Sequence, residues 1–86
     1  MEIKREFVLR EIAGDMLLVP TGKTALDLNG MLTLNEAGAE IWKMLPEVKT
    51  EEEIISRLLE EYEVEEAELR RDVTAFLDKL RELGII

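Results

Sequence analysis

The chain contains neither cysteine nor histidine. The first absence excludes disulfides, a thiolate zinc site and a cysteine nucleophile, and it fits a reducing compartment. The second excludes a hydrolytic triad built on histidine, a histidine-ligated metal and a histidine general base. Catalysis would have to rest on carboxylates, Lys, Ser/Thr or the single Tyr62. Basic residues are scarce as well: 11 Lys and Arg stand against 20 Asp and Glu, a net charge of −9. They are scattered from Lys4 to Arg81, so a phosphate backbone meets repulsion. No apolar run approaches the roughly 20 residues of a membrane span. Met1-Glu2-Ile3-Lys4-Arg5 leads into alternating residues with no apolar signal-peptide core. The expectation is a soluble, cytoplasmic protein without a nucleic-acid or membrane partner. No calcium loop, phosphate-binding glycine loop or HExxH motif is present, so no metal or cofactor is expected.

What is present divides at Leu32–Trp42. Before it, residues alternate like strands; after it, apolar residues recur every three to four. The 86 residues, 47% of them hydrophobic, suffice for one domain spanning 1–86 with one core. Phe7-Val8-Leu9-Arg10-Glu11-Ile12 predicts a strand over 7–12, and Ala13-Gly14-Asp15 a turn. Met16-Leu17-Leu18-Val19 predicts a second strand over 16–19, stopped by Pro20-Thr21-Gly22. Residues 25–28 and 31–34 flank Asn29-Gly30, a strong hairpin signal. A two-residue turn there places leucines on both sheet faces. Either the register shifts by a bulge, or both faces are covered by something absent.

Asn35 is an N-cap for a helix over 36–45 that buries Ala37, Ile41 and Leu45, with Gly38 and Trp42 beside them. Trp42 is read as core. Thr50-Glu51-Glu52-Glu53 is a capping box opening a helix over 51–62, with Ile54, Ile55, Leu58, Leu59 and Tyr62 on its apolar face and Val64 as a staple. A third helix over 66–83 carries a stripe of Leu69, Val73, Phe76, Leu77 and Leu80. Gly84 signals its end, and Ile85-Ile86 fold back on the core. The acidic runs at the helix ends are solvated charge that complements the macrodipoles.

The flanks of the third stripe differ. Arg70, Thr74 and Arg81 lie on the edge next to Leu77; Glu68, Asp72 and Lys79 lie on or behind the other. Two readings stay open: arginines that pair with nearby glutamates, or a groove edge that receives an acidic partner.

Leu34-Asn35-Glu36-Ala37-Gly38-Ala39-Glu40-Ile41-Trp42 resembles the LN-x-[TAV]-[GA]-x-x-[IL]-W signature of the PqqD-like family. That family comprises the pyrroloquinoline quinone synthesis protein D and relatives that recognise ribosomally made, modified peptides. Thr50-Glu51-Glu52-Glu53-Ile54, Leu59-Glu60-Glu61-Tyr62-Glu63-Val64, and Asp72-Val73, Phe76-Leu77, Leu80 and Gly84-Ile85-Ile86 resemble later parts of its pattern, so the likeness covers residues 7–86. The resemblance implies an α+β, winged helix-turn-helix-like fold, a small antiparallel sheet of three to four strands followed by three helices. It implies no catalytic activity. It implies capture of the leader segment of a precursor peptide by strand addition, for presentation to a modifying enzyme, often a radical-SAM enzyme. The strand and helix that would do this here are residues 31–34 and the third helix. The expected contacts are Met31, Leu32, Thr33 and Leu34 on one wall and Arg70, Val73, Thr74, Leu77 and Arg81 on the other. The stretch from Thr21 to Gly30 is longer than in the quinone-synthesis proteins, so quinone synthesis itself is not implied. The alternatives are a structural or dimerisation subunit, homodimeric through the sheet edge, and a DNA-binding winged-helix regulator. The second is disfavoured because Arg70, Arg71, Lys79 and Arg81 face six acids on the same helix.

Overall fold

The sheet comes first in the chain. In this computed structural model, which describes residues 1–27 and 30–86, β1 (Phe7–Ile12) and β2 (Asp15–Pro20) form an antiparallel hairpin. β3 (Leu32–Leu34) pairs antiparallel with β2, giving the order β1-β2-β3. The helices α2 (Glu36–Met44), α3 (Glu51–Glu61) and α4 (Glu66–Glu82) follow, with a 3-10 turn at Leu45–Glu47 carrying Pro46. The fold is therefore α+β. Among the described residues, no helix is long and apolar enough to cross a membrane.

One expected element is replaced. Ala25–Asp27 belong not to a strand but to a short helix, α1 (Gly22–Asp27), while Leu28 and Asn29 lie outside the described residues. The reason is a tertiary bond. Thr24 is buried, and its Oγ1 accepts the Glu6 N–H at 2.8 Å; the Thr21 N–H in turn donates to Glu6 O at 3.0 Å. These bonds satisfy the chain at the entry to β1, where an unpaired amide would be costly, and they hold 22–27 in a turn of helix. A local Asn-Gly signal cannot register such a partner.

The loss of that strand removes the leucine conflict. Residues directly opposite in an antiparallel pair share a face. Leu32 pairs with Leu18 and Leu34 with Met16, so these four lie on the inner face, and Thr33 lies outward opposite Leu17. Leu18 and Leu34 are buried with Ile41, Trp42, Ile54, Leu58, Leu77, Leu80 and others in one core. Phe7 packs edge-on to Trp42, ring centroids 6.1 Å apart.

The caps explain the helix starts. Asn35 Oδ1 accepts the Gly38 N–H at 2.7 Å, and Thr50 Oγ1 accepts the Glu53 N–H at 3.2 Å. Glu53 reaches back one residue further than a capping box requires, to the Lys49 N–H at 3.3 Å. α4 ends in a Schellman arrangement: the Ile85 N–H donates to Leu80 O at 2.9 Å and the Gly84 N–H to Arg81 O at 3.0 Å. Gly84 takes φ +71, which a side chain resists, and Ile85 is fully buried behind it. Val64 is not a staple. The chain is extended at Tyr62 and Glu65, and it carries Val64 outward, half exposed, while Tyr62 packs on the core.

Candidate functional site

β3 has a neighbour on one side only: among the described residues nothing pairs with its second edge. An unpaired strand edge is a template for another strand. Met31 precedes the strand and is exposed; Leu32 is half-buried, Thr33 exposed and Leu34 buried. The strand is anchored at its end by Asn35, whose side chain caps α2, so β3 and the first turn of α2 move as one piece.

Beside that end lies a cleft of about 100 Å³. This is several times the roughly 10–15 Å³ that one water needs. Asn35, Ala37, Gly38 and Ile41 form one wall; Leu69, Asp72, Val73 and Phe76 of α4 form the other. Gly38 lies where α2, the end of β3 and the Phe76 ring meet. A Cβ there would sit 3.5 Å from Phe76 Cε1, 3.5 Å from Leu34 Cβ and 3.2 Å from Asn35 Oδ1. Glycine inside a helix costs roughly 0.5–1 kcal/mol relative to alanine. Here a Cβ would be in ordinary contact with the Phe76 ring and crowd only the Asn35 cap oxygen, and the ring lies against α2 next to the last residue of β3. Phe76 is half-buried and Asp72 exposed at the rim.

The opposite flank of α4 carries Arg70, Thr74 and Arg81. Arg70 makes a two-pronged contact with Glu52 of α3, Nη1 to Oε1 and Nη2 to Oε2, the latter at 3.2 Å, and lies 3.8 Å from Glu66. The Arg70 hydrogen bond holds the Glu52 carboxyl below its ordinary range, and Glu52 raises Arg70 in return. Arg81 donates to Asp78 at 2.9 Å and borders a shallow depression with Met1, Lys4, Lys49 and Ile86. Thr74 lines a broad open face together with Arg70, Ala67, Arg71, Ala75 and Asp78.

Of the expected second wall, Arg70 and Thr74 share one open face of α4, Arg81 borders a separate depression, and Val73 lines the cleft. Arg70, Thr74 and Arg81 face α3 or solvent, away from the cleft. Leu77 is fully buried in the core. Val73, 1% exposed, reaches the cleft only as its floor. The residues that do stand beside β3 are Asp72 and Phe76, together with Asn35 and Gly38 of α2. The signal for them was Phe76 at the margin of the stripe, on the Asp72 side, and a glycine in mid-helix opposite it.

Asp72 is the one titratable residue among those lining the cleft. Among the described residues, no group of three or more acids is placed to hold a metal ion. Tyr62 has its hydroxyl raised by burial and by Glu36, Glu40 and Glu61, but it does not line the cleft.

Two solved structures resemble this one over nearly the whole chain. TbiB1 in complex with the TbiA(β) leader peptide is 27% identical, with a TM-score of 0.72, over 99% of this chain and 93% of that one. A lasso peptide synthetase B1 complexed with the leader peptide is 24% identical, with a TM-score of 0.71, over 98% and 93%. The second likeness speaks to the fold alone. No curated protein matches the chain. The family model of coenzyme PQQ synthesis protein D (PqqD) matches residues 8–86, and the chain belongs to that family.

Proposed function

We propose that this protein captures the leader segment of a ribosomally made precursor peptide as an extra strand on β3 and holds it for a modifying enzyme, without catalysing a reaction itself. The observation that carries this reading is the free edge of β3 beside the Phe76 cleft, in a chain 27% identical over nearly its whole length to TbiB1, which is bound to a leader peptide.

Magnitudes assign the roles. β3 spans three residues, so an added strand forms a few backbone hydrogen bonds of about 0.5–1.5 kcal/mol net each. Ordering a flexible peptide costs roughly 2–5 kcal/mol. The backbone bonds therefore roughly cancel that cost. A micromolar complex needs about 8 kcal/mol, so side chains entering the cleft supply most of the affinity and all of the sequence preference. A second copy pairing β3 to β3 would bring together two chains of charge −9 and is disfavoured.

The test is fluorescence anisotropy with the labelled leader peptide encoded beside this protein's gene. The expected result is saturable binding near micromolar Kd, weakened by Phe76→Ala. Failure of every leader peptide from neighbouring genes to bind overturns the proposal.

A further inference from the structure

We infer that the captured peptide carries a basic, an apolar and an acidic residue at alternate positions, in that order from N- to C-terminus, read by Asp72, Phe76 and Lys79. This rests on leader capture at β3 and deepens it.

Asp72, Phe76 and Lys79 stand at i, i+4 and i+7 of α4, on one stripe of the helix. The approach of Phe76 to Gly38 and Leu34 fixes that stripe on the β3 side. Asp72 and Lys79 are exposed, and among the described residues neither makes an ion pair. Asp72 thus puts a negative charge in the lining of the cleft, and Lys79 puts a positive one a turn beyond Phe76 on the same stripe. Glu68, one turn before Asp72, adds to the negative end.

The direction follows from the fold. Phe76 lies at the Leu34 end of β3. Just past the end of α4, Ile85 O accepts the Lys4 N–H at 2.6 Å, which ties that end to the segment leading into Phe7, which pairs with Pro20. The Pro20 end of the sheet is the Leu32 side of β3. α4 therefore runs antiparallel to β3. A strand that continues the antiparallel sheet runs parallel to α4 and meets Asp72 first.

The spacing also follows. Asp72 and Lys79 are seven residues apart, about 10.5 Å along the helix. Inward-facing residues of an added strand recur every second position, about 6.6 Å apart. Three of them span about 13 Å, and the length of the lysine side chain takes up the difference. The middle residue meets Phe76 and Leu34 and is apolar.

The experiment is selection of random ten-residue peptides by mRNA display on the wild-type protein, on the double variant Asp72→Lys/Lys79→Glu, and on Lys79→Glu alone, each checked for folding by circular dichroism. The wild type is expected to enrich peptides reading basic-x-apolar-x-acidic, and to bind them about tenfold more tightly than their charge-reversed counterparts. The double variant reverses the order; Lys79→Glu alone loses only the acidic preference. Enrichment of the same peptides by wild type and Lys79→Glu, or of peptides without charge at these positions, overturns the inference and leaves strand capture standing. Failure of folded wild type to enrich any peptide overturns both.

Discussion

The two flanks of α4 share a helix and a buried stripe but differ in what covers them. On the α3 side, Arg70 is held by Glu52 and Arg81 by Asp78, so the charges are used within the protein. On the β3 side, Phe76 leans over Gly38, and Asp72 and Lys79 have no ion-pair partner among the described residues. A charged flank that looks functional in the sequence is thus the satisfied one. The flank with a half-buried aromatic and unpaired charges is the one where we propose the peptide binds.

The comparison breaks most visibly at the buried stripe. Leu77 is fully buried, so Leu77→Ala is expected to lower the unfolding free energy by about 3 kcal/mol in urea denaturation. The protein that remains folded should keep its peptide affinity. Intact stability with lost binding would make Leu77 a contact and the packing described here wrong. Next in size is the contrast between flanks. Phe76→Ala should weaken peptide binding at least roughly tenfold, and Arg70→Ala by less than about twofold. The reverse order would move the peptide to the α3 side.

The cap on which both β3 and α2 depend is a smaller effect. Asn35→Ala should cost about 1 kcal/mol in thermal unfolding, with Asn35→Asp retaining most of the stability. The smallest effect is Glu52→Gln. The folded-state pKa of Glu52 is depressed by Arg70, so its contribution is present above the ordinary glutamate value near about 4.3 and is lost as pH falls through the depressed value. Wild type and variant should differ slightly at neutral pH and coincide once the pH falls below the depressed Glu52 value.

Most of the fold was legible because its causes are local. β1 and β2 follow from apolar runs punctuated by Gly14 and Pro20, and α2 and α3 from the caps Asn35 and Thr50. Gly84 closes α4. α1 was not legible because Thr24 acts through Glu6, 18 residues away, and the Asn29-Gly30 signal is stronger on any local scale. The consequence matters for the site, since the strand expected over 25–28 would have occupied the edge of β3. The helical wheel correctly separated the two flanks of α4. It holds no information about which neighbour meets which flank, and Glu52 is likewise 18 residues from Arg70. Gly38 shows the same limit: the ring it meets, Phe76, lies far along the chain.

The most direct measurement uses the two phenylalanines of the chain, Phe7 and Phe76. Protein labelled with 4-fluorophenylalanine is titrated with the leader peptide and followed by ¹⁹F NMR. Phe7 packs against Trp42 in the core and Phe76 lines the cleft. The account predicts that the Phe76 resonance moves with peptide concentration while that of Phe7 stays. A peptide that binds saturably without moving Phe76 would contradict it.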